Sequence, residues 1–452
     1  MIRELYLLTA IALGILEGCA TYHRMPLDRS AVTQSLTPPS METVRVEAKA
    51  IKHPILKPLN FDDRNGLSPD EAAILAVLAN PTLRAIRDQR GIVAAQLLQA
   101  GILPNPQLSF NLAKPTGGST QGTVTAFGFG LNWDITSLIT RSTEIDAARA
   151  QATSIDLDVA WQEWQVAQGA KLHVYRLVFL KKQLATAREE EKGLQKNLEA
   201  VKRAVDIGDM TVIELAAAEA TLQRTHLSVL TIEQQQEQER LALNKSLGLP
   251  PEQVILLQQD IDPPSTQALP SLMEIMEGIE KRRLDLLALK MGYQSQEARL
   301  RAAILAQFPR INIGFSESRD NTNIVSTGFG ITIDLPFFDR NQGHIAIERA
   351  TRTKLFDEYI ARLFETKAEV ARILEDIRSI KKQIEANQKS ILASKNLVQI
   401  SYKGLLEGNV DVLSYYNARS ELIAKQIDIL KLKQNLADLI IALEIAAGRY
   451  LR

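Results

Sequence analysis

Apolar and polar positions along the chain follow two different periods, and each period appears twice. Leu108, Phe110 and Leu112 alternate with Gln107, Ser109 and Asn111, and Phe127, Phe129, Leu131 and Trp133 alternate with Ala126, Gly128, Gly130 and Asn132. Later, Ile311, Ile313 and Phe315 alternate with Arg310, Asn312 and Gly314. Val325, Thr327, Phe329, Ile331, Ile333 and Leu335 alternate with Ser326, Gly328, Gly330, Thr332 and Asp334. A period of two predicts four strands, at about 106–113, 123–134, 309–317 and 325–336. One apolar face opposite a polar or glycine face over about ten residues is the pattern of a lipid-facing barrel strand. A sheet half-buried on a soluble core shows the same alternation, so the strands alone leave both readings open.

The second period is seven. Phe356, Leu363, Val370, Ile377, Ile384, Ile391, Val398 and Leu405 fall on successive heptad steps, with no proline between Asn341 and Leu405. A weaker ladder runs through Val159, Val166, His173, Leu180, Ala187, Leu194 and Val201. Heptads sustained this far predict coiled-coil packing along helices of roughly 100 Å. Each long helix is expected to end at a glycine, Gly208 or Gly408, with a returning helix starting near Thr211 or Asp411 and running to Gly248 or Gly448. Shorter helices at about 67–102 and 271–307 precede the strand pairs.

The two halves are copies. Gly128-Phe129-Gly130 with Asp134 recurs as Gly328-Phe329-Gly330 with Asp334, an offset of 200. Arg149-Ala150, Gly208, Val212, Ala218 and Gly248 recur at the same offset as Arg349-Ala350, Gly408, Val412, Ala418 and Gly448. Pro104 and Phe110 recur as Pro309 and Phe315 at an offset of 205, so the intervening loop differs by five residues. A period of domain size is a duplication and not a solenoid. The expected organisation is repeat one at 67–248, a proline-rich connector at 249–270, and repeat two at 271–450.

Composition narrows the class. Lys+Arg and Asp+Glu are both 53 among 452 residues, which argues against a nucleic-acid surface. Mean hydropathy of −0.08 excludes a helical polytopic membrane protein. The only cysteine, Cys19, follows a basic start (Met1–Arg3), an apolar run from Leu5 to Leu16, and Glu17-Gly18. This stretch resembles a bacterial lipobox, which implies a lipoprotein signal peptide over 1–18 and lipidation of Cys19; an ordinary signal peptide with a chance cysteine is the alternative. Ala20 after the cysteine favours sorting to the outer membrane. Residues 19–66 contain Pro26, Pro38, Pro39, Pro54 and Pro58 without a helical period, and are expected to form an extended tether.

Four strands with a lipid-facing side cannot close on themselves, and open edges are not tolerated in hydrocarbon. Three copies would supply twelve strands and a closed barrel, continued by the long helices as a periplasmic α-barrel. This arrangement resembles the TolC-like family of trimeric outer-membrane efflux ducts over nearly all of the mature chain. Within it, Leu335-Pro336-Phe337-Phe338-Asp339-Arg340-Asn341-Gln342-Gly343 resembles the strand-to-helix junction of the CzcC-type heavy-metal branch, whereas Ile135–Arg141 in copy one lacks that motif. The resemblance implies a mainly α fold with β, a homotrimer, outer-membrane lipid around the barrel, and a periplasmic membrane-fusion adaptor. It also implies a proton-driven inner-membrane pump of the resistance-nodulation-division type, with metal cations as cargo. The same duct could serve drugs, solvents or type I protein secretion, and a lipid-anchored coiled-coil scaffold would explain the helices without the strands.

A duct needs no catalytic residues and no cofactor, and HExxH, GxxxxGK[ST] and GxSxG are all missing from the sequence. His23, His53, His173, His226 and His344 are scattered, and His173 occupies a heptad position, as a polar seam residue does. The expected lipid-facing residues are Leu108, Phe110, Leu112, Phe127, Phe129, Leu131, Trp133, Ile311, Ile313, Phe315, Phe329, Ile331 and Ile333. The hairpin tips carry Asp206, Gly208 and Asp209 in copy one and Glu407, Gly408, Asn409 and Asp411 in copy two. By resemblance these tips form the periplasmic gate or the adaptor contact. Their acids either make a cation-attracting constriction or cap the returning helices, with Asp209 ahead of Thr211 as one such cap.

Overall fold

The computed structural model describes residues 20–258, 261–264 and 269–451, and divides into two compact units, Met1–Pro39 and Ser40–Arg452. Cys19 and the signal segment lie outside the described residues. In the first unit, α1 (Arg29–Leu36) starts where the Asp28 side chain accepts the Ala31 amide.

The second unit begins with α2 (Met41–Ala50), capped by Ser40. The expectation of an extended tether over 19–66 is corrected here. Val44 and Ala48 are fully buried, and Leu56, Phe61 and Leu67 join the same core, so the segment from Ser40 onward is an integral strap. His53 fixes it: Nδ1 accepts the amides of Ile55 and Leu56, which leaves Nε2–H to donate to the Ala160 carbonyl at 2.9 Å.

The single helix expected over 67–102 is three. α3 (Pro69–Ala79) opens with a Ser68–Glu71 capping box. It stops at Asn80, whose extended backbone precedes Pro81 and whose side chain accepts from Thr82 and Leu83 to start α4 (Pro81–Arg87). α5 (Gln89–Gly101) follows. β1 (Gln107–Ala113) and β2 (Ala126–Asp134) lead to α6 (Ser137–Asp206), 70 residues long, and α7 (Val212–Ser246).

Repeat two has the same plan. α8 (Leu272–Met276) and a 3₁₀ turn (Ile279–Lys281) precede α9 (Leu284–Leu305), so the helix expected over 271–307 is also interrupted, at left-handed Gly278. Then come β3 (Ile311–Arg319), β4 (Val325–Ile333), α10 (Gln342–Leu406, 65 residues) and α11 (Val412–Ala447). β3 lies two residues later than expected, and two further strand bounds differ by three. β2 begins at Ala126 because Thr123 closes a turn on Thr120, and β4 stops at Ile333 ahead of Pro336, which has no amide to donate.

The largest core surrounds α3. Ala72–Val77 pack against Trp161, Trp164, Ala167 and Val174 of α6, Leu243 and Leu247 at the end of α7, and Ala437 and Ile441 of α11. Trp164 is wholly buried and meets the Tyr450 ring edge-on at 5.0 Å. Both returning helices end in a left-handed glycine, Gly248 (φ 66) and Gly448 (φ 64). A Cβ at Gly248 would lie 2.5 Å from the Ala79 carbonyl oxygen, so close packing as well as φ requires glycine there.

Packing between repeats is systematic. The long helix α6 of copy one lies on α7 and also on α11, the returning helix of copy two. A polar ladder marks that seam: Gln168 with Glu444, Arg176 with Asp438 at 2.9 Å, Gln183 with Gln434 and Arg419 with Glu190 at 2.6 Å. The long helix of copy two, α10, packs on α9 and α11. It leaves Phe356, Ile360, Phe364, Leu392 and Ile400 exposed.

Candidate functional site

The four strands form one antiparallel sheet in the order β1-β2-β3-β4. The β2–β3 pair joins the two repeats, and β1 and β4 are open edges. Register aligns the rows. Leu108, Leu131, Phe315 and Phe329 are successive partners, as are Trp133, Ile313 and Ile331, and Ile311 pairs with Ile333. Phe110 lies opposite Phe129, with ring centroids 4.8 Å apart, and Leu112 lies opposite Phe127. All thirteen residues expected to face lipid therefore share one face. Nine are exposed, Leu108 by 73% and Phe329 by 70%, while Phe127, Trp133, Ile311 and Ile313 are half-buried.

At the hairpin end this face turns polar at Glu317, Arg319 and Thr327, with the Arg319 guanidinium 4.9 Å over the Phe127 ring. The Trp133 indole donates to the Pro104 carbonyl at the helix end. Between them lies an uncovered apolar band, which a water-soluble sheet would bury.

The opposite face is small and polar. Ser109, Gly130, Ser316 and Gly328 form one row, and Asn111, Gly128, Ser318 and Ser326 another. The glycines make room for cross-strand side chains: a Cβ at Gly314 would lie 2.5 Å from Asn132 Oδ1, and one at Gly130 2.6 Å from Ser109 Oγ. Along these rows the wall offers hydroxyls and amides without charge.

Both hairpin tips are built alike. Gly208 (φ 82) and Gly408 (φ 73) take the left-handed position, and the next amide, of Asp209 or Asn409, returns to the carbonyl of Ala204 or Gly404 at 2.8 or 2.7 Å. Asp206, Asp209, Glu407, Asn409 and Asp411 are all exposed. The cap of α7 is Thr211 and not Asp209: Thr211 Oγ1 accepts the Glu214 amide, and Glu214 Oε2 accepts the amide and hydroxyl of Thr211. Thr-x-x-Glu is a capping-box spacing visible in the sequence. Asp411 caps α11, accepting the Ser414 amide at 2.8 Å and its hydroxyl at 2.7 Å. The Ser414 hydroxyl first, and then its amide, hold the Asp411 carboxyl below the usual carboxylate range.

The tips are held together within the protomer. Leu194, Val201 and Ala218 of hairpin one cluster with Val412, Tyr415 and Tyr416 of hairpin two. Arg419 Nε and Nη2 donate to the two Glu190 oxygens at 2.6 and 3.0 Å, and Nη1 donates to the Tyr415 hydroxyl. Gly193 makes room for this guanidinium, since a Cβ there would lie 2.5 Å from Arg419 Nη2.

His173 Nδ1 donates to Glu239 at 2.6 Å on the α6–α7 seam, and His226 Nδ1 donates to Glu191 on the same pair of helices. Among the described residues no group of three or more His, Cys, Asp or Glu is placed to hold a metal ion, and no helix is long and apolar enough to cross a membrane.

Known proteins share this design. The family model for outer membrane efflux proteins matches twice, over residues 75–249 and 276–449, two spans about 200 residues apart like the internal repeats. The cobalt-zinc-cadmium resistance protein CzcC of Cupriavidus metallidurans is 24% identical over 298 residues, 65% of this chain and 69% of that protein. The fold matches crystal structures of CusC at TM-score 0.72 and 19% identity, covering 88% of this chain and 98% of that one. It matches the outer-membrane channel OprN at TM-score 0.73 and 16% identity, covering 95% and 98%. At such identities the structural likeness speaks for the fold, while the doubled family match covers most of the sequence. This chain belongs to the outer membrane efflux protein family, as a duplicated TolC-like channel fold that serves passage and not catalysis.

Proposed function

We propose that three copies of this chain form a passive duct through the outer membrane and periplasm, the exit stage of an efflux system. The observation that carries this reading is the sheet: an exposed apolar face, an opposite face with uncharged Ser/Gly/Asn rows, and two open edges. Open edges are not tolerated in a bilayer, so β4 of one copy has to meet β1 of the next, and three copies close twelve strands. The helices ask for the same closure. α6 rests on α11 within the chain, and the duplication predicts the matching contact of α10 on α7 of a neighbour. The exposed Leu392 and Ile400 on α10, and Leu227 and Leu230 on α7, await such a contact.

In this reading the thirteen apolar strand residues face lipid, the Ser/Gly/Asn rows face water, and Cys19 carries the lipid anchor. The acidic tips lie at the periplasmic mouth, where an adaptor and a proton-driven inner-membrane pump engage. Metal cations are the proposed cargo, supported by the CzcC likeness and the Leu335–Gly343 junction. A strain lacking this chain is expected to become sensitive to cobalt, zinc or cadmium ions and to keep its tolerance of hydrophobic drugs. The reverse pattern would assign the duct to drugs.

A further inference from the structure

The apolar face of β4 does not end with the strand. Beyond Ile333, Leu335 is exposed at the next alternate position, and the chain then turns at half-buried Pro336, the Phe337 amide returning to the Leu335 carbonyl at 2.9 Å with the Phe337 ring exposed. The Asp334 amide still reaches the Arg310 carbonyl at 3.0 Å, so the sheet geometry runs on past Ile333. Phe338 follows with 95% of its surface uncovered.

An aromatic ring held fully in water is costly, and this loop is not a loose one. The Asn341 amide donates to Asp339 Oδ1 at 2.8 Å, the Arg340 amide to Gln342 Oε1 at 2.7 Å, and Gln342 Nε2 to the Phe338 carbonyl at 3.1 Å. Asn341 takes a left-handed backbone (φ 60), and its side chain donates to the Ala303 carbonyl at the end of α9. Such strain in a non-glycine residue is retained where a segment must be held in one shape. What these bonds hold out is a pair of bare phenylalanines.

Copy one has no counterpart. There Ile135 and Thr136 alone separate β2 from α6, and Thr136 Oγ1 accepts the Ile311 amide, which ties the junction into the sheet. The projecting loop therefore occurs once per chain.

Its height suits a bilayer boundary. From Val325 to Leu335, just before the turn that carries Phe337, the chain spans about 33 Å, or about 23 Å at a tilt of about 45°, against an apolar band of about 25 Å in outer-membrane barrels. With Thr327, Glu317 and Arg319 at the outer rim, Phe337 falls at the inner one. Aromatic rings favour that level, and the exposed Arg340, and Arg310 at the adjoining strand end, suit anionic headgroups there.

We infer that the Leu335–Arg340 loop is a membrane-surface anchor. Phe337 and Phe338 enter the headgroup region of the inner leaflet, Arg340 meets anionic phospholipid, and the loop sets the depth at which the barrel sits. This rests on the barrel reading above, and the test separates the two. Phe338→Trp, Phe329→Trp and Phe364→Trp variants of the full chain are placed in phosphatidylcholine–phosphatidylglycerol vesicles brominated either near the headgroup or near the chain ends. Emission is read as the difference from the unsubstituted protein. The added Phe338→Trp emission is expected to be lost mainly to shallow bromines, that of Phe329→Trp mainly to deep ones, and that of Phe364→Trp to neither. Phe338→Trp emission untouched by bromine while Phe329→Trp is quenched overturns the anchor and leaves the barrel standing. Iodide then tells whether the ring is bare or covered by protein, such as a second copy. If Phe329→Trp is also unquenched, the barrel reading itself falls.

Discussion

Arg419 of α11 grips both carboxylate oxygens of Glu190 on α6, at 2.6 and 3.0 Å, and so binds the second repeat to the first just above the hairpin tips. Both side chains are largely buried, and removing one partner leaves the other charged and unpaired. Arg419→Gln and Glu190→Gln are each expected to destabilise the tip by about 3 kcal/mol. The double variant should cost much less than the sum of the two. Hydrogen exchange in the Val412–Arg419 turns measures this, and additive effects would mean that the pair contributes nothing of its own.

Asp411 has two possible duties that substitution separates. As a cap it is replaced well by Asn and poorly by Ala. As part of a charged mouth it is replaced by neither. Asp411→Asn should leave exchange of the Leu413–Tyr415 amides unchanged and lower cation selectivity in single-channel recordings; unchanged selectivity would leave the cap as its whole role. The pH sign follows from the depressed carboxyl. The cap's contribution is complete above the ordinary value of 3.8 and is lost as pH falls through the lower folded value.

The strap at His53 should loosen in acid. Burial pushes the imidazole below its ordinary 6.5, outweighing the Ala160 carbonyl and Glu163, while Arg90 and Arg87 push the same way. Protonation would also aim an N–H at the two amides that Nδ1 now accepts. Since the folded value is depressed, the stabilisation is present above about 6.5 and is lost as pH falls from there toward the folded value. Protection of the amides in residues 54–61, the exchange rate measured against the intrinsic rate at each pH, is expected to fall below pH 6 in the native chain. In His53→Gln, which does not titrate, protection should be lower at neutral pH and should not change further as pH falls to 5.

The two faces of the sheet predict opposite tolerances. Phe329→Arg places a cation on the apolar face near the middle of β4 and should destabilise the assembled barrel by about 2–4 kcal/mol. Ser316→Arg, on the uncharged face, should leave stability nearly unchanged and reduce cation conductance. Urea unfolding in vesicles and single-channel recording check the two. Equal costs on both faces would contradict the assignment of lipid and water sides.

What was legible in the sequence is what repeats with a fixed period. Gly128-Phe129-Gly130 and Gly328-Phe329-Gly330 announce the duplication, and strict alternation around Phe110 and Phe315 places the apolar residues on one face whatever the partners are. The strap was not legible, because Val44, Ala48, Leu56, Phe61 and Leu67 follow no period and are buried through tertiary packing on α3 and α6. The breaks at Asn80 and Gly278 were missed because a helical apolar pattern runs across both. Asp209 reads as one capping acid among the tip residues, while the cap itself is Thr211, signalled by Glu214 three residues on. The Glu190–Arg419 pair joins residues 229 apart, a distance no local pattern spans.

The central claim is that this chain works as a closed homotrimeric pore. Native mass spectrometry of the full chain extracted in detergent, followed by planar-bilayer recording of the same material, tests it most directly. A trimer that gives discrete single-channel steps is the expected result. A monomer that leaves the bilayer silent would contradict the account.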